Sequence, residues 1–267
     1  MRKGFIYLML LSAIGFTACE KVIHPDLSNG KILLVIESRI STDSVPWQVK
    51  LSLTQDYFST ATPPAANGAV VSITDDLGNT VALLEDTGGY YRSPAIQQCA
   101  VGRRYTLNVA YKGTNYTASE TCLFQEPIDS ITYEFRKKEL FIPAGYYITE
   151  HAKEKEGAGD YYLWEIYKND TLINDFGYFI NDDAFVNGNY IVAQFPFPFK
   201  LYDSIRVDQF AISKQWYNFL ITVEAEARKS GTPFDTPPAN AASNIKGGAL
   251  GYFAVLNLER RSLKILE

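Results

Sequence analysis

Aspartates come in two adjacent pairs in this chain, Asp75-Asp76 and Asp182-Asp183, and paired carboxylates are what glycoside hydrolysis or calcium binding would use. Sequential neighbours on a strand point to opposite faces, and neither pair has the ligand spacing of a calcium loop, so turn stabilisation is the favoured reading. Histidine occurs only as His24 and His151, which argues against a histidine-based triad or a multi-histidine metal site. His151 sits beside a charged turn and reads as an exposed polar side chain. The glycine-rich stretch Gly247-Gly248-Ala249-Leu250-Gly251 lacks the Lys-Ser/Thr of a phosphate loop and precedes a strand candidate, so it reads as a turn. These residues lead to the expectation of no catalytic residue, no metal and no cofactor.

Two other groups offer chemistry of contact and cross-linking. In Phe195-Pro196-Phe197-Pro198-Phe199 the prolines keep the run out of a central ladder. Phe195, Phe197 and Phe199 are then either a displayed contact surface or a plug under a sheet. Trp164 and Tyr162 could stack on a sugar, though strand aromatics are more often core. Beyond Cys19, only Cys99 and Cys122 remain. An even pair in an exported chain is a candidate disulfide, whose closed loop of about 24 residues would contribute about 3 kcal/mol; two buried free thiols are the alternative.

The elements that must carry these groups are mostly strands. Tyr (18) and Phe (16) are abundant, Met (2) is scarce, and short polar segments rich in Gly, Pro, Asn and Asp punctuate the chain. Lys31 to Ser41 reads as a continuous apolar strand, and Val49, Leu51 and Leu53 alternate with polar residues in the next. Ala69 to Thr74 and Thr80 to Glu85 flank a turn at Asp75 to Asn79. Tyr105, Leu107, Val109 and Tyr111 alternate up to a turn at Lys112 to Asn115. With Gly113 and Thr114 at the centre of that turn, Tyr105 would face Cys122. Seven short strands with turns about every ten residues predict an immunoglobulin-like sandwich over 31–124. A second β-rich, sandwich or barrel-like domain is expected over 125–267, beginning near Gln125-Glu126-Pro127. It carries one helix at about 213–229, started by Ser213 and stopped by Gly231 and Pro233, and two closing strands.

The chain opens with Arg2 and Lys3, an apolar run from Phe5 to Phe16, and Thr17-Ala18-Cys19. The run is too short to span a bilayer and has the layout of a secretory signal. Small residues just before a cysteine resemble the lipobox of bacterial lipoproteins, which implies cleavage after residue 18, acylation of Cys19 and a tether over 19–30. The alternative is an ordinary secreted protein with Cys19 unmodified. Loss of Arg2 and Lys3 would move the formal charge from −5 to −7. This acidic balance, with no long basic run, argues against nucleic acid or anionic lipid head groups as partners.

A wider resemblance rests on Ile212-Ser213-Lys214 entering a Tyr-containing helix, Gly231-Thr232-Pro233-Phe234, Pro237-Pro238, Asn244-Ile245 and Gly248-Ala249-Leu250-Gly251-Tyr252-Phe253. Pro127-Ile128-Asp129-Ser130-Ile131, Asp160-Tyr161-Tyr162 and Asp182-Asp183 before Asn187-Gly188 agree with it. Together they resemble an uncharacterised lipoprotein family of the Bacteroidota, catalogued as a domain of unknown function. Its members are commonly encoded beside TonB-dependent outer-membrane receptors. The resemblance implies a lipid-anchored outer-membrane accessory protein that binds a ligand or the receptor, on the periplasmic face or the cell surface. A carbohydrate-active enzyme and a structural or adhesive envelope protein are the competing readings.

Overall fold

The computed structural model describes residues 31–56, 59–184, 186–229 and 239–266. Cys19, the signal and tether over 1–30, and the helix stop at Gly231 and Pro233 lie outside the described residues. The chain divides into two compact units, 1–31 with 56–60, and 32–55 with 61–267. In the first, the Ser59 amide donates to the Asp56 carbonyl at 2.9 Å. The second contains every strand and the α-helix described below.

Its strands are β1 (Leu34–Ser41), β2 (Val45–Leu53), β3 (Val70–Asp75), β4 (Thr80–Glu85), β5 (Tyr90–Gln97), β6 (Arg104–Tyr111), β7 (Thr114–Thr121), β8 (Ile128–Arg136), β9 (Gly145–Lys153), β10 (Tyr161–Lys168), β11 (Thr171–Leu172), β12 (Phe179–Asp182), β13 (Tyr190–Gln194), β14 (Ser204–Ile212) and β15 (Leu250–Lys264). One α-helix, α1 (Lys214–Ala227), lies between β14 and β15. One long sheet runs β11-β10-β14-β15-β1-β2-β5-β4-β3-β6-β7, with β12 also paired to β10, and a three-stranded sheet runs β13-β9-β8. The protein is mainly β and layered as sandwiches, not closed into a barrel.

The first sandwich forms where the long sheet turns on itself at β4, which pairs with β3 through Leu83 and with β5 through Leu84 and Glu85. Ile36, Val49, Leu51 and Tyr91 from one side meet Ile73, Leu107, Val109 and Ala118 from the other in a single core. Burying a side chain of this kind stabilises by about 1.5–3 kcal/mol. The last strand also enters this core, because β15 pairs in parallel with β1, Val35 opposite Leu250 through Ser41 opposite Leu256. Phe253 and Val255 of β15 point into the first core, while Tyr252, Ala254 and Leu256 on its other face pack under α1. Residues 125–267 therefore share a core with 31–124.

Around β10 and β14 the chain builds three layers. One face of these strands meets the small sheet through Ile148, Trp164, Ile166, Ile205 and Val207. The opposite face, with Leu163, Phe210 and Ile212, meets Trp216 and Leu220 of α1. Ser213 caps that helix as expected, its side chain accepting from the Trp216 amide at 3.2 Å.

Three local expectations are corrected. Strand β1 is not continuously apolar inside: Leu34, Ile36, Ser38 and Ile40 are buried, whereas Glu37 and Arg39 are exposed. The β6–β7 turn is centred on Lys112 and Gly113, both at positive φ (47° and 79°), which pairs Tyr111 with Thr114 and Tyr105 with Glu120. Positive φ at both central residues is what a two-residue hairpin of this twist requires, and glycine takes the second position without steric cost. The two expected closing strands are one strand of 15 residues, because Leu250 to Leu256 pairs with β1 and Asn257 to Lys264 with β14.

Gly251 marks the closest backbone approach in this architecture. It has φ of 94°, and a Cβ there would lie 2.1 Å from the Ile36 carbonyl oxygen. Gly251→Ala is expected to cost about 3 kcal/mol or more in urea unfolding, because both strain and a backbone clash fall on the β1–β15 ladder. Gly68→Ala, with similar φ but open space around the new methyl group, should cost only about 1–2 kcal/mol.

Candidate functional site

A helix is about 10 Å across and strands lie about 4.8 Å apart, so one helix covers about two strands of a sheet face. Here the face comprises β10, β14, β15 and β1, and α1 leaves the β1 side open as a groove of about 340 Å³. Val35, Glu37 and Arg39 of β1 line it beside Leu250, Tyr252 and Ala254 of β15, with Trp216, Phe219 and Leu220 on the helical wall and Tyr178 and Asn240 at its margins.

Its walls are aromatic and fixed. Trp216 and Tyr252 stack with ring centroids 6.1 Å apart, and Phe219 lies 5.1 Å from Tyr252. The Tyr252 hydroxyl donates to Glu120 at 2.6 Å, and Ser213 Oγ donates to the same carboxylate at 3.1 Å. One acid on β7 thus holds both the helix cap and the ring beneath the helix. Burial, followed by the bond to Glu120, raises the Tyr252 pKa well above the usual tyrosine range, so the phenol remains a donor. Arg39 is equally constrained: its guanidinium lies 5.4 Å from the Phe210 and Trp216 rings and 2.6 Å from Glu165. The Tyr167 hydroxyl donates to the other Glu165 oxygen at 2.9 Å. The groove therefore offers apolar rings, an oriented cation and the exposed Glu37, a set suited to binding an amphipathic group.

The acidic pairs serve other ends. Asp75 accepts from the Leu77 and Asn79 amides, each at 2.9 Å, and the Asn79 side chain lowers its pKa. Arg103 bridges Asp75 and Asp76, so this pair braces the β3–β4 turn. Asp183 is buried and forms, with Glu154 and Asp160, a cluster whose carboxylate oxygens lie within 4.8 Å of one another. Among the described residues these three could hold a hard cation; the Glu154 and Asp183 oxygens already accept hydrogen bonds, while the buried Asp160 Oδ2 has only the Lys155 ammonium beside it, 3.0 Å away. Tyr162 and the Gly188 amide donate to Glu154 at 2.8 and 2.9 Å, the Gly159 amide donates to Asp183, and Lys155 donates to Asp160 at 3.0 Å. The arrangement clasps the β9–β10 loop to the β12–β13 loop. Glu154 and Asp160 were not singled out by the sequence; their only signal is position, flanking the turn before β10.

Phe195, Phe197 and Phe199 do not form a contact surface. Their exposures are 4%, 6% and 1%, and they pack with Phe179, Trp164 and Ile148 between the small sheet and the long one. The intervening prolines let the segment cross that gap without a regular ladder, touching it through the Tyr146–Phe199 bridge. Trp164 and Tyr162 are core as well. Cys99 and Cys122, proposed as a bridge, are two free buried thiols in this structure. Burial pushes the Cys122 thiol up to about 12 and raises Cys99 too, with Cys122 as its second cause. Both therefore stay protonated and unreactive while the first core is closed. His151 accepts or shares a hydrogen bond with Thr132 at 2.9 Å on the outer face of the small sheet.

Fold and groove define a layered, mainly β protein with an aromatic-walled cleft beside its helix. The chain belongs to the family described as Domain of unknown function (DUF4249), which matches residues 20–262. No curated protein matches it. Among the described residues no helix is long and apolar enough to cross a membrane.

A buried acid makes the interior sensitive to pH. Glu150 is fully buried, both its oxygens accept from Trp164 Nε1 at 3.0–3.1 Å, and burial raises its pKa from 4.5 to about 7. Because the folded state binds this proton more tightly than the unfolded state, its contribution is fully present below about pH 4.5 and is lost as pH rises through 7. Glu150→Gln should flatten that loss, worth up to about 3 kcal/mol, and raise stability at pH 8 relative to the parent chain, as urea titrations across this range would measure.

Proposed function

We propose that this protein is a lipid-anchored outer-membrane accessory protein that binds a ligand, or the receptor itself, for a TonB-dependent nutrient-uptake system. The observation that carries the reading is the groove beside α1, where Trp216, Phe219 and Tyr252 converge with Arg39. The layout of residues 2–19 supports the anchor, and the sequence resemblance supports the receptor association. Multiple acyl chains bind a membrane far more firmly than one, since each buried methylene adds about 0.8 kcal/mol. Confinement beside a receptor then raises a weak contact to an effective concentration of about millimolar. Affinity in the groove need not be high for the site to be occupied.

Two measurements test this. Intact-mass analysis of membrane-extracted protein should give a chain beginning at Cys19 and carrying acyl groups; an unmodified, freely released product would remove the anchor. Co-purification from solubilised outer membranes should recover a TonB-dependent receptor, and Phe219→Asp, which puts a charge on the groove wall, should lower recovery about tenfold, the effect of losing 1.4 kcal/mol of binding. Equal recovery from both chains would exclude the groove as the contact.

A further inference from the structure

The connection between β8 and β9 ends in the two most exposed large hydrophobic side chains among the described residues, Leu140 at 87% and Phe141 at 90%. Scattered exposed leucines are ordinary on protein surfaces, but two adjacent ones at a projecting tip are not. The tip is held in place. The Glu139 amide donates to the Ile142 carbonyl at 2.9 Å, closing a two-residue turn with Leu140 and Phe141 at its apex. Tyr147 donates to the Pro143 carbonyl at 2.9 Å. The apolar pair is thus presented outward by a braced turn and has no nearby groove of its own to enter.

Behind it the surface changes character in order. The exposed Glu139 adjoins the apex and the exposed Lys137 and Lys138 follow directly behind it, a net positive collar, while Arg136 is engaged by Glu134 and lies 5.3 Å from the Tyr147 ring. Another step back, Phe135 is 57% exposed and lies edge-on to Tyr146 with centroids 5.2 Å apart. Apolar apex, lysine collar and aromatic base match the depth profile of a bilayer surface, where lysines reach phosphates and aromatic rings sit at the head-group level. A protein partner would more commonly be met by a flat or concave patch.

We infer that the β8–β9 tip is a membrane-docking element: Leu140 and Phe141 enter the acyl boundary of a phospholipid surface, and Lys137 and Lys138 engage its phosphates. The net charge of −5 opposes adsorption of the chain as a whole, so the attachment is local to this hairpin. It is independent of Cys19 and of the groove's ligand, and it would orient a protein that an N-terminal anchor alone leaves free to rotate.

The test uses the full chain carrying Phe141→Trp. Trp47, Trp164 and Trp216 are all buried, so the added indole is the one whose emission reports the tip, and the native three report the fold. On phosphatidylethanolamine–phosphatidylglycerol vesicles with brominated acyl chains, the added emission should shift to the blue and be quenched. Adding Leu140→Asp should raise the vesicle concentration needed for half-quenching about tenfold. Emission that stays solvent-like while the protein co-sediments with the vesicles would overturn the proposal. A change produced only by a protein partner and never by lipid would overturn it as well.

Discussion

Everything in this structure depends on the parallel ladder between β1 and β15. A parallel pair cannot be made by a hairpin and needs a long connection; here the Leu258 amide reaches the Thr42 hydroxyl from 216 positions away. The ladder joins the strands of the first sandwich to β14 and β10, making one sheet from what would otherwise be two. It also forces β15 to be apolar on both faces, with Phe253 and Val255 serving one core and Tyr252 and Leu256 another. Strands buried on both faces read as unbroken hydrophobic runs, as Tyr252 to Leu256 does. The groove follows from the same ladder, since its floor is the part of β1 and β15 that the single helix leaves uncovered.

What was legible in the sequence was local. Period-two alternation marks β2 and β6, Asp75 to Asn79 marks a turn, and Ser213 before an apolar stripe marks the start of α1, because each signal lies within a few residues of the element it specifies. The illegible parts required knowing what comes to lie beside a residue. Glu37 and Arg39 read as part of a continuous apolar strand, and only the placement of β15 beside β1 shows that they line an open face. Phe195, Phe197 and Phe199 carry the composition of a display loop, and only the cavity between the two sheets turns them into core. The β6–β7 register shifted because a lysine, not the more obvious Gly-Thr pair, supplies the first positive-φ position. Glu150 gives no sign in sequence at all, its burial being set by the opposing Trp164.

The buried acids tie loops together. Glu154 and Asp183 accept from Tyr162 and backbone amides, and Asp160 pairs with Lys155, which offsets the cost of burying their charge. Glu120 does similar service at the helix start, tying Ser213 and Tyr252 to β7. The paired acids thus hold connections in place, and the aromatic groove lies elsewhere, walled by side chains engaged in ring contacts and hydrogen bonds. A groove whose lining is rigid before any ligand arrives loses little entropy on binding.

Because the first sandwich shares its core with the strand beginning at Leu250, it cannot close during synthesis when only its own seven strands have been made. Contacts so distant in sequence make folding slow and late.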